Sequence, residues 1–355
     1  MNLKKTLVAA AVAAVAAAPA ISHAQATLYG KIQYALIQSG KTTDSGKAET
    51  NFVDNGNRLG VKGSDPLGSD MTSFYKLEFD IHALGESTKS WKSTTSSQVY
   101  TRYAYAGVKG NFGTVVGGRV EDLFYAMVEA PTDTVNVIGG SLGPTGTGYT
   151  SRVDAVAYMT PNMGGFTGGV AVGTIGTDNN TTSSTYGKQQ QVYQLGGKYT
   201  FGPGYVGAGY ISVPKANQAI GANGTKVKGV AGISAGYSFG MFGIDGNVTK
   251  TQAGTDATNK DAYRITQATL QGSMTMGSLF GYVMYSQAKS AESGAKTMHR
   301  VTAGVFYNVS KPLMVSFEVA SNNKYANGGT FSETTATSNG DKANTEFAVG
   351  LAYSF

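Results

Sequence analysis

Residues 345–355 read TEFAVGLAYSF. Phe347, Val349, Leu351, Tyr353 and Phe355 fall on one side of an extended chain; Glu346, Ala348, Gly350, Ala352 and Ser354 fall on the other. Side chains of a strand alternate with period 2, so this is a β-strand with one greasy, aromatic face and one small or polar face. A tilted strand of about 9–11 residues crosses a bilayer. A water-soluble sandwich would turn its polar face to bulk water and carry more charge there. Small polar residues opposite large apolar ones suit a water-filled lumen better.

The same grammar recurs upstream. In 27–36, Leu28, Ile32, Tyr34 and Leu36 oppose Thr27, Lys31 and Gln33. In 97–109, Val99, Tyr103 and Tyr105 are expected opposite Arg102, Ala104 and Ala106. In 151–160, Val153, Ala155, Ala157 and Met159 are expected opposite Arg152 and Asp154. Other segments, such as 279–286, alternate poorly. Counting outward from these gives sixteen strand segments, from 26–38 to 344–355, including 52–63 and 70–82. The connectors alternate in length. Turn residues mark the short ones at 64–68, 111, 161–165, 202–204, 240 and 310–312; the long ones, rich in Ser, Thr, Asn, Gly and Lys, include 39–51, 83–96, 121–150 and 325–343. Short turns on one rim and long loops on the other make an all-β, 16-stranded antiparallel transmembrane barrel.

Composition narrows the function classes. Only 14% of the 355 residues are charged, while Gly supplies 49 and Tyr and Phe supply 21 and 15. With no cysteine, disulfides, thiolate nucleophiles and Cys-based metal sites are excluded. Three histidines, His23, His82 and His299, leave little for a metal cluster or a triad, so no metal or cofactor is expected. Residues 1–24 read as a secretory signal peptide: Lys4 and Lys5, then an Ala/Val run, then Ser22-His23-Ala24 before the cut. Losing them lowers the formal charge from +6 by two, too little and too scattered for nucleic acid. One domain, 25–355, absorbs the rest; no linker or low-complexity tract divides it.

The longest connector, 121–150, differs from its peers. It carries Glu121, Asp122, Glu129 and Asp133, ends in a Gly-rich run, and holds Leu123, Phe124, Met127, Val128, Val135, Val137 and Ile138. A loop standing in water has no use for that much apolar surface. Folding inward against the barrel wall would bury it. Lys31, Arg58, Arg102 and Arg152 share the polar faces of four early strands. Strands lie about 4.8 Å apart, and like charges so close repel by about 1 kcal/mol per pair. Folding gains nothing from that arrangement, but a transverse field across a narrow aqueous passage requires it.

At these residues the chain resembles the general porins of Gram-negative outer membranes, most closely the betaproteobacterial type. The similar stretches are Gln25 to Lys31, Asn57 to Gly63, the run Arg102 to Arg119, Ser151-Arg152 to Pro161, and the terminal Phe355, which resembles the end signal read by the barrel-assembly machinery. The resemblance implies a homotrimer, a third loop folded into the lumen, and passive diffusion of small hydrophilic solutes and inorganic ions. It places Lys31, Arg58, Arg102 and Arg152 on a basic wall, with Glu129 and Asp133, then Glu121 and Asp122, as the facing acids. The family's Pro-Glu-Phe-Gly run is absent; Glu129-Ala130-Pro131-Thr132-Asp133 stands in the comparable stretch. Imperfectly matched acids imply a mild anion preference. Outer-membrane lipid and lipopolysaccharide would surround the barrel, and Trp91 in the second long loop could latch onto a neighbouring subunit. Three rival readings remain. A substrate-specific channel for anions or sugars would line its path with aromatic slides or Lys-rich loops. An adhesin would use the surface loops of the same barrel. An enzyme would need a nucleophile beside a base, and neither His82 nor His299 sits in such a motif.

Overall fold

A computed structural model of the chain describes residues 26–40, 48–82, 99–138, 140, 151–177, 189–212, 227–253, 260–261, 263–323 and 344–355. The expected signal peptide and Trp91 lie outside these residues. Seventeen strands follow in order: β1 (Thr27–Ser39), β2 (Glu49–Asp54), β3 (Asn57–Gly68), β4 (Met71–Ile81), β5 (Val99–Gly110), β6 (Gly113–Glu121), β7 (Arg152–Met159), β8 (Phe166–Thr177), β9 (Gln189–Phe201), β10 (Gly204–Ser212), β11 (Val227–Phe239), β12 (Phe242–Ala253), β13 (Ile265–Met276), β14 (Leu279–Ser290), β15 (Met298–Asn308), β16 (Leu313–Asn322) and β17 (Asn344–Ser354). Strands β2 and β3 are two halves of one stave, interrupted at Asn55-Gly56, where Gly56 takes φ +86°. Both pair with β1, so the barrel has sixteen antiparallel staves.

Strand β1 also pairs with β17 from Lys31↔Ser354 to Gln38↔Phe347, which closes the sheet on itself. The last residue completes the seam: Gly30 N–H donates to the Phe355 carbonyl at 2.9 Å, and Phe355 N–H donates back at 3.1 Å. Alternation along β17 runs as its sequence requires: Phe347, Val349, Leu351 and Tyr353 are exposed, while Ala348 and Ala352 are buried. Leu28, Ile32 and Leu36 continue that outer face on β1, and Gln33 is buried on the inner one.

Three local expectations are corrected. The expected turn at 64–68 is strand. Asp65↔Ser73 and Pro66↔Thr72 remain in register, a bulge follows Pro66, and the chain reverses at Ser69-Asp70 with φ of 47° and 61°. Pro lacks an N–H, and a bulge is where a ladder tolerates that. On β7 the faces are inverted: Val156 and Tyr158 point outward, while Ala155 and Ala157 are buried on the inner face. Small side chains there make room for Val120 and Ala171. On β5 a bulge breaks the alternation, because Glu78 faces Tyr103 and the next residue, Phe79, faces Thr101. Arg102 is the extra residue. Tyr103 is therefore on the same inner face as Glu78, not across from Arg102.

Closure gives a stability prediction. Deleting Phe355 removes two backbone hydrogen bonds, worth about 0.5–1.5 kcal/mol each. In protein refolded from urea into detergent, the unfolding midpoint is expected to fall accordingly; an unchanged midpoint would show that the Gly30–Phe355 pair does not hold the seam.

Candidate functional site

The inner face is divided between two structures. Over β9–β12 it is covered by the start of the connector after β6, residues 122–133. Asp122 Oδ1 accepts from Tyr125 N–H at 3.0 Å, capping a short wide-wound turn over Tyr125–Glu129. A 3-10 turn, Ala130–Thr132, follows at Pro131. Phe124, Met127 and Val128 pack against Val192, Ile211 and Val230. Burying each such side chain contributes about 1.5–3 kcal/mol.

The wall is glycine where the turn touches it. A Cβ on Gly232 would meet Val128 Cγ1 at 2.7 Å and Phe124 Cζ at 3.0 Å, and one on Gly207 would strike the Met127 carbonyl oxygen. Gln194 and Asn247 complete the contact from the same face. Gln194 Nε2 donates to Asp122 Oδ2 at 2.5 Å and its Oε1 accepts from Leu123 N–H at 2.7 Å. Asn247 Nδ2 donates to Thr132 Oγ1 at 2.7 Å.

The chain then reaches a second anchor on β1, β2, β16 and β17. Glu318, fully buried, accepts from the backbone N–H groups of Asn136 (2.7 Å) and Val137 (2.6 Å) and from the Tyr282 hydroxyl (2.7 Å). Asn136 is held on both sides of the seam: its Oδ1 accepts from Gln33 Nε2 at 2.7 Å and its Nδ2 donates to Ser316 Oγ at 2.9 Å. Its carbonyl accepts from Asn55 Nδ2 at 2.5 Å, which gives the interruption between β2 and β3 a task. Ile138 packs among Ala35, Ile37, Ala320 and Ala348. Arg300 NH1 donates to the Gly140 carbonyl at 2.7 Å.

A further arc, β1 and β3–β7, carries a cluster of charges. Lys31 lies directly opposite Arg58 in the β1–β3 ladder. Lys31 also senses the charge of Arg102, and Arg58 that of Arg102 and Arg152. The four expected cations are thus brought together. The sequence reading missed the acids among them. Arg102 Nε bonds Glu78 Oε1 at 2.7 Å, and Arg102 NH1 lies 3.6 Å from Asp80 Oδ2. Lys76 Nζ lies 3.3 Å from Glu78 Oε2, which also accepts from the Tyr29 hydroxyl at 2.8 Å. Tyrosine rings interleave the cations: Lys76 Nζ stands 4.0 Å from the Tyr103 ring centre, and Arg152 Cζ 5.2 Å. The missed signal was legible, since Lys76, Glu78 and Asp80 alternate with Leu77, Phe79 and Ile81.

The four expected acids separate. Asp122 is buried in the turn's cap and its Gln194 bond, and Glu129 is buried too. Asp133 is exposed and accepts from the Tyr125 hydroxyl at 2.6 Å. Burial first, and then this carboxylate, push the Tyr125 phenol up from its ordinary value. Glu121 is exposed, pairs with Arg152 in the β6–β7 ladder, and lies 3.4 Å from the Tyr103 hydroxyl. Glu121 and Asp133 therefore border the charged arc, whereas Asp122 holds the segment to the wall. Among the described residues no cluster of His, Asp or Glu is arranged to hold a metal.

The profile of a family described as Gram-negative porin matches residues 9–327. The major outer membrane protein P.IB of Neisseria lactamica is 24% identical over 371 residues, covering 99% of this chain and 90% of that protein. A monosaccharide porin of Halomonas is 26% identical over 227 residues, and the match spans 59% of the length of each. Among solved structures, an anion-selective porin from Comamonas acidovorans superposes with TM-score 0.72 at 19% identity, covering 94% of this chain and all of that one. OmpF of Salmonella typhi gives TM-score 0.70 at 19% identity, over 94% and 98% of the two chains.

The Glu318 anchor can be tested without reference to activity. In Glu318→Ala, the Asn136 and Val137 amides lose a charged acceptor worth about 1.5–3 kcal/mol. Their hydrogen exchange, followed by mass spectrometry, should speed up about tenfold to a hundredfold while β17 keeps its protection. Unchanged exchange at 136–137 would contradict the anchor.

Proposed function

The chain belongs to the Gram-negative porin family, and from that premise we propose that it is an outer-membrane general diffusion channel, passing small hydrophilic solutes and ions passively down their gradients. Family and fold point to a channel rather than an enzyme. The observation that carries the reading is the division of the inner face. Residues 122–138 dock on β9–β12 and on β1, β2, β16 and β17, while Lys31, Arg58, Arg102 and Arg152 gather on an arc that none of these docked residues covers. In this reading the segment projects into the lumen and narrows it, and solutes pass between it and the basic arc.

Selection follows from size and field alone. Four cations with Lys76 stand against Glu78 and Asp80 on the wall and Glu121 and Asp133 on the segment's border. The excess is small, so the channel prefers anions mildly. Screening lengths are about 10 Å at 0.1 M salt and 3 Å at 1 M, so the preference weakens in concentrated salt. The protein acts as a homotrimer, is exported by cleavage after Ala24, and is recognised by the barrel-assembly machinery through Phe355. Its outer face meets lipid and lipopolysaccharide.

A sugar-specific path is the second reading, favoured by the name of the Halomonas relative. Against it, ammonium and guanidinium groups stand 4.0 to 5.8 Å from the ring centres of Tyr29 and Tyr103, where a sugar would stack.

Zero-current potentials in a planar bilayer under a salt gradient test the proposal. Arg102→Ala with Arg152→Ala is expected to move the potential toward cation preference, and Glu78→Gln to move it the opposite way. No movement in either would remove these residues from the conducting path.

A further inference from the structure

The outer face carries its own charge pattern. On β12, exposed Ile244 and Val248 are followed on the same face by exposed Lys250. On β14, exposed Val283 and Tyr285 are followed by Gln287 and Lys289. Between them on β13, Leu270 shares its face with Thr266. The ladders put Lys250 opposite Thr266 and Thr266 opposite Lys289. At about 4.8 Å between strands, the two ammonium-bearing residues flank one hydroxyl about 10 Å apart.

The height of this row identifies what it meets. Lys250 lies eight residues along β12 from Phe242, and Lys289 ten along β14 from Leu279, both counted from the short-turn rim. At about 3.3 Å per residue and a tilt near 40°, that is roughly 20–25 Å, the height of a barrel's apolar band. The row therefore stands where hydrocarbon gives way to headgroups, on the rim with the long connections, which in this class of barrel faces the cell exterior. Among the described residues, no Asp or Glu lies on the outward faces of β12–β17, because Asp245, Glu318 and Glu346 all turn inward. Asp261, just above, already pairs with Arg264. Arg119, also on the outer face, pairs with Asp154 at 3.1 Å. Lys250 and Lys289 have no such partner among the described residues.

We propose that Lys250, Thr266 and Lys289 form a site for the phosphate of an anionic lipid headgroup in the outer leaflet. The two ammonium groups supply charge, the hydroxyl supplies a hydrogen bond, and the lipid's acyl chains lie along Val248, Leu270 and Val283. Each lysine near a charged membrane surface contributes about 1 kcal/mol. This inference rests on the outer-membrane placement proposed above, but not on conduction.

The test uses the purified, folded chain in detergent, with bisphosphorylated lipid A and its dephosphorylated counterpart as probes and bound lipid counted by native mass spectrometry. The double variant Lys250→Gln, Lys289→Gln should bind the phosphorylated probe about thirtyfold more weakly and the dephosphorylated probe as the parent does. It should keep its heat-modifiable mobility and its zero-current potential. Equal binding of the phosphorylated probe by parent and variant would overturn the site. So would equal binding of both probes by the parent. Displacement of the lipid by inorganic phosphate at the same concentration would mean a free-anion site instead, overturning the lipid assignment. Failure of the channel reading would show separately, as absent conductance in the parent.

Discussion

A backbone amide facing hydrocarbon has no water to bond to, and leaving it unpaired costs several kcal/mol. Everything else in this molecule is arranged around that constraint. Sixteen staves satisfy one another's N–H and C=O groups, and the seam between β1 and β17 leaves no free edge down to the last residue, where Gly30 and Phe355 exchange both bonds. Closure in turn separates two faces. The outer one can be apolar over most of its height, as at Phe347, Val349, Leu351 and Tyr353 on β17. The inner one is free to be glycine, glutamine or arginine as the interior requires.

The inner face uses that freedom in two ways. Where residues 122–138 lie, the wall is stripped to glycine so that Phe124, Met127 and Val128 can approach its backbone, and buried polar groups such as Gln194, Asn247 and Glu318 hydrogen-bond with the segment. Where the segment does not lie, cations crowd together. Lys31, Arg58, Arg102 and Arg152 repel one another, and Glu78 and Asp80 offset only part of it. Two anchors near opposite ends of the segment, one apolar and one built on a carboxylate, hold it to the wall.

How far this was legible from sequence depends on how local each feature is. The alternation of 345–355 and the lengths of the connectors need only neighbouring residues, so the barrel and its stave count could be read directly. Lys31, Arg58 and Arg102 could be found because each lies in a segment with a polar face; Arg152 alternates in phase with Asp154, Val156 and Tyr158, the outward side of β7, and joins the others only from the strand's first position. Two of the errors come where one residue changes the phase: the bulge at Arg102 turned Tyr103 to the inner face, and the bulge after Pro66 carried a strand through an expected turn; the third, on β7, comes from small inner residues, Ala155 and Ala157, which look no more apolar than the outer side of a strand. The acids show a different limit. Asp122 and Glu121 are adjacent in sequence, yet one is buried in a cap and the other borders the charged arc, a difference set by Gln194 and Arg152 from distant strands. The Glu318 anchor joins residues about 180 positions apart and leaves no local trace.

In the proposed function, a basic arc and a fixed segment together make this barrel a weakly anion-preferring channel. Single-channel recording of the purified parent protein in a planar bilayer, with a potassium chloride gradient near 0.1 M, tests it most directly. Stepwise, ohmic openings are expected, with a zero-current potential displaced modestly toward the chloride equilibrium value and shrinking as the salt approaches 1 M. Folded protein that does not conduct, or that prefers potassium at low salt, would contradict it.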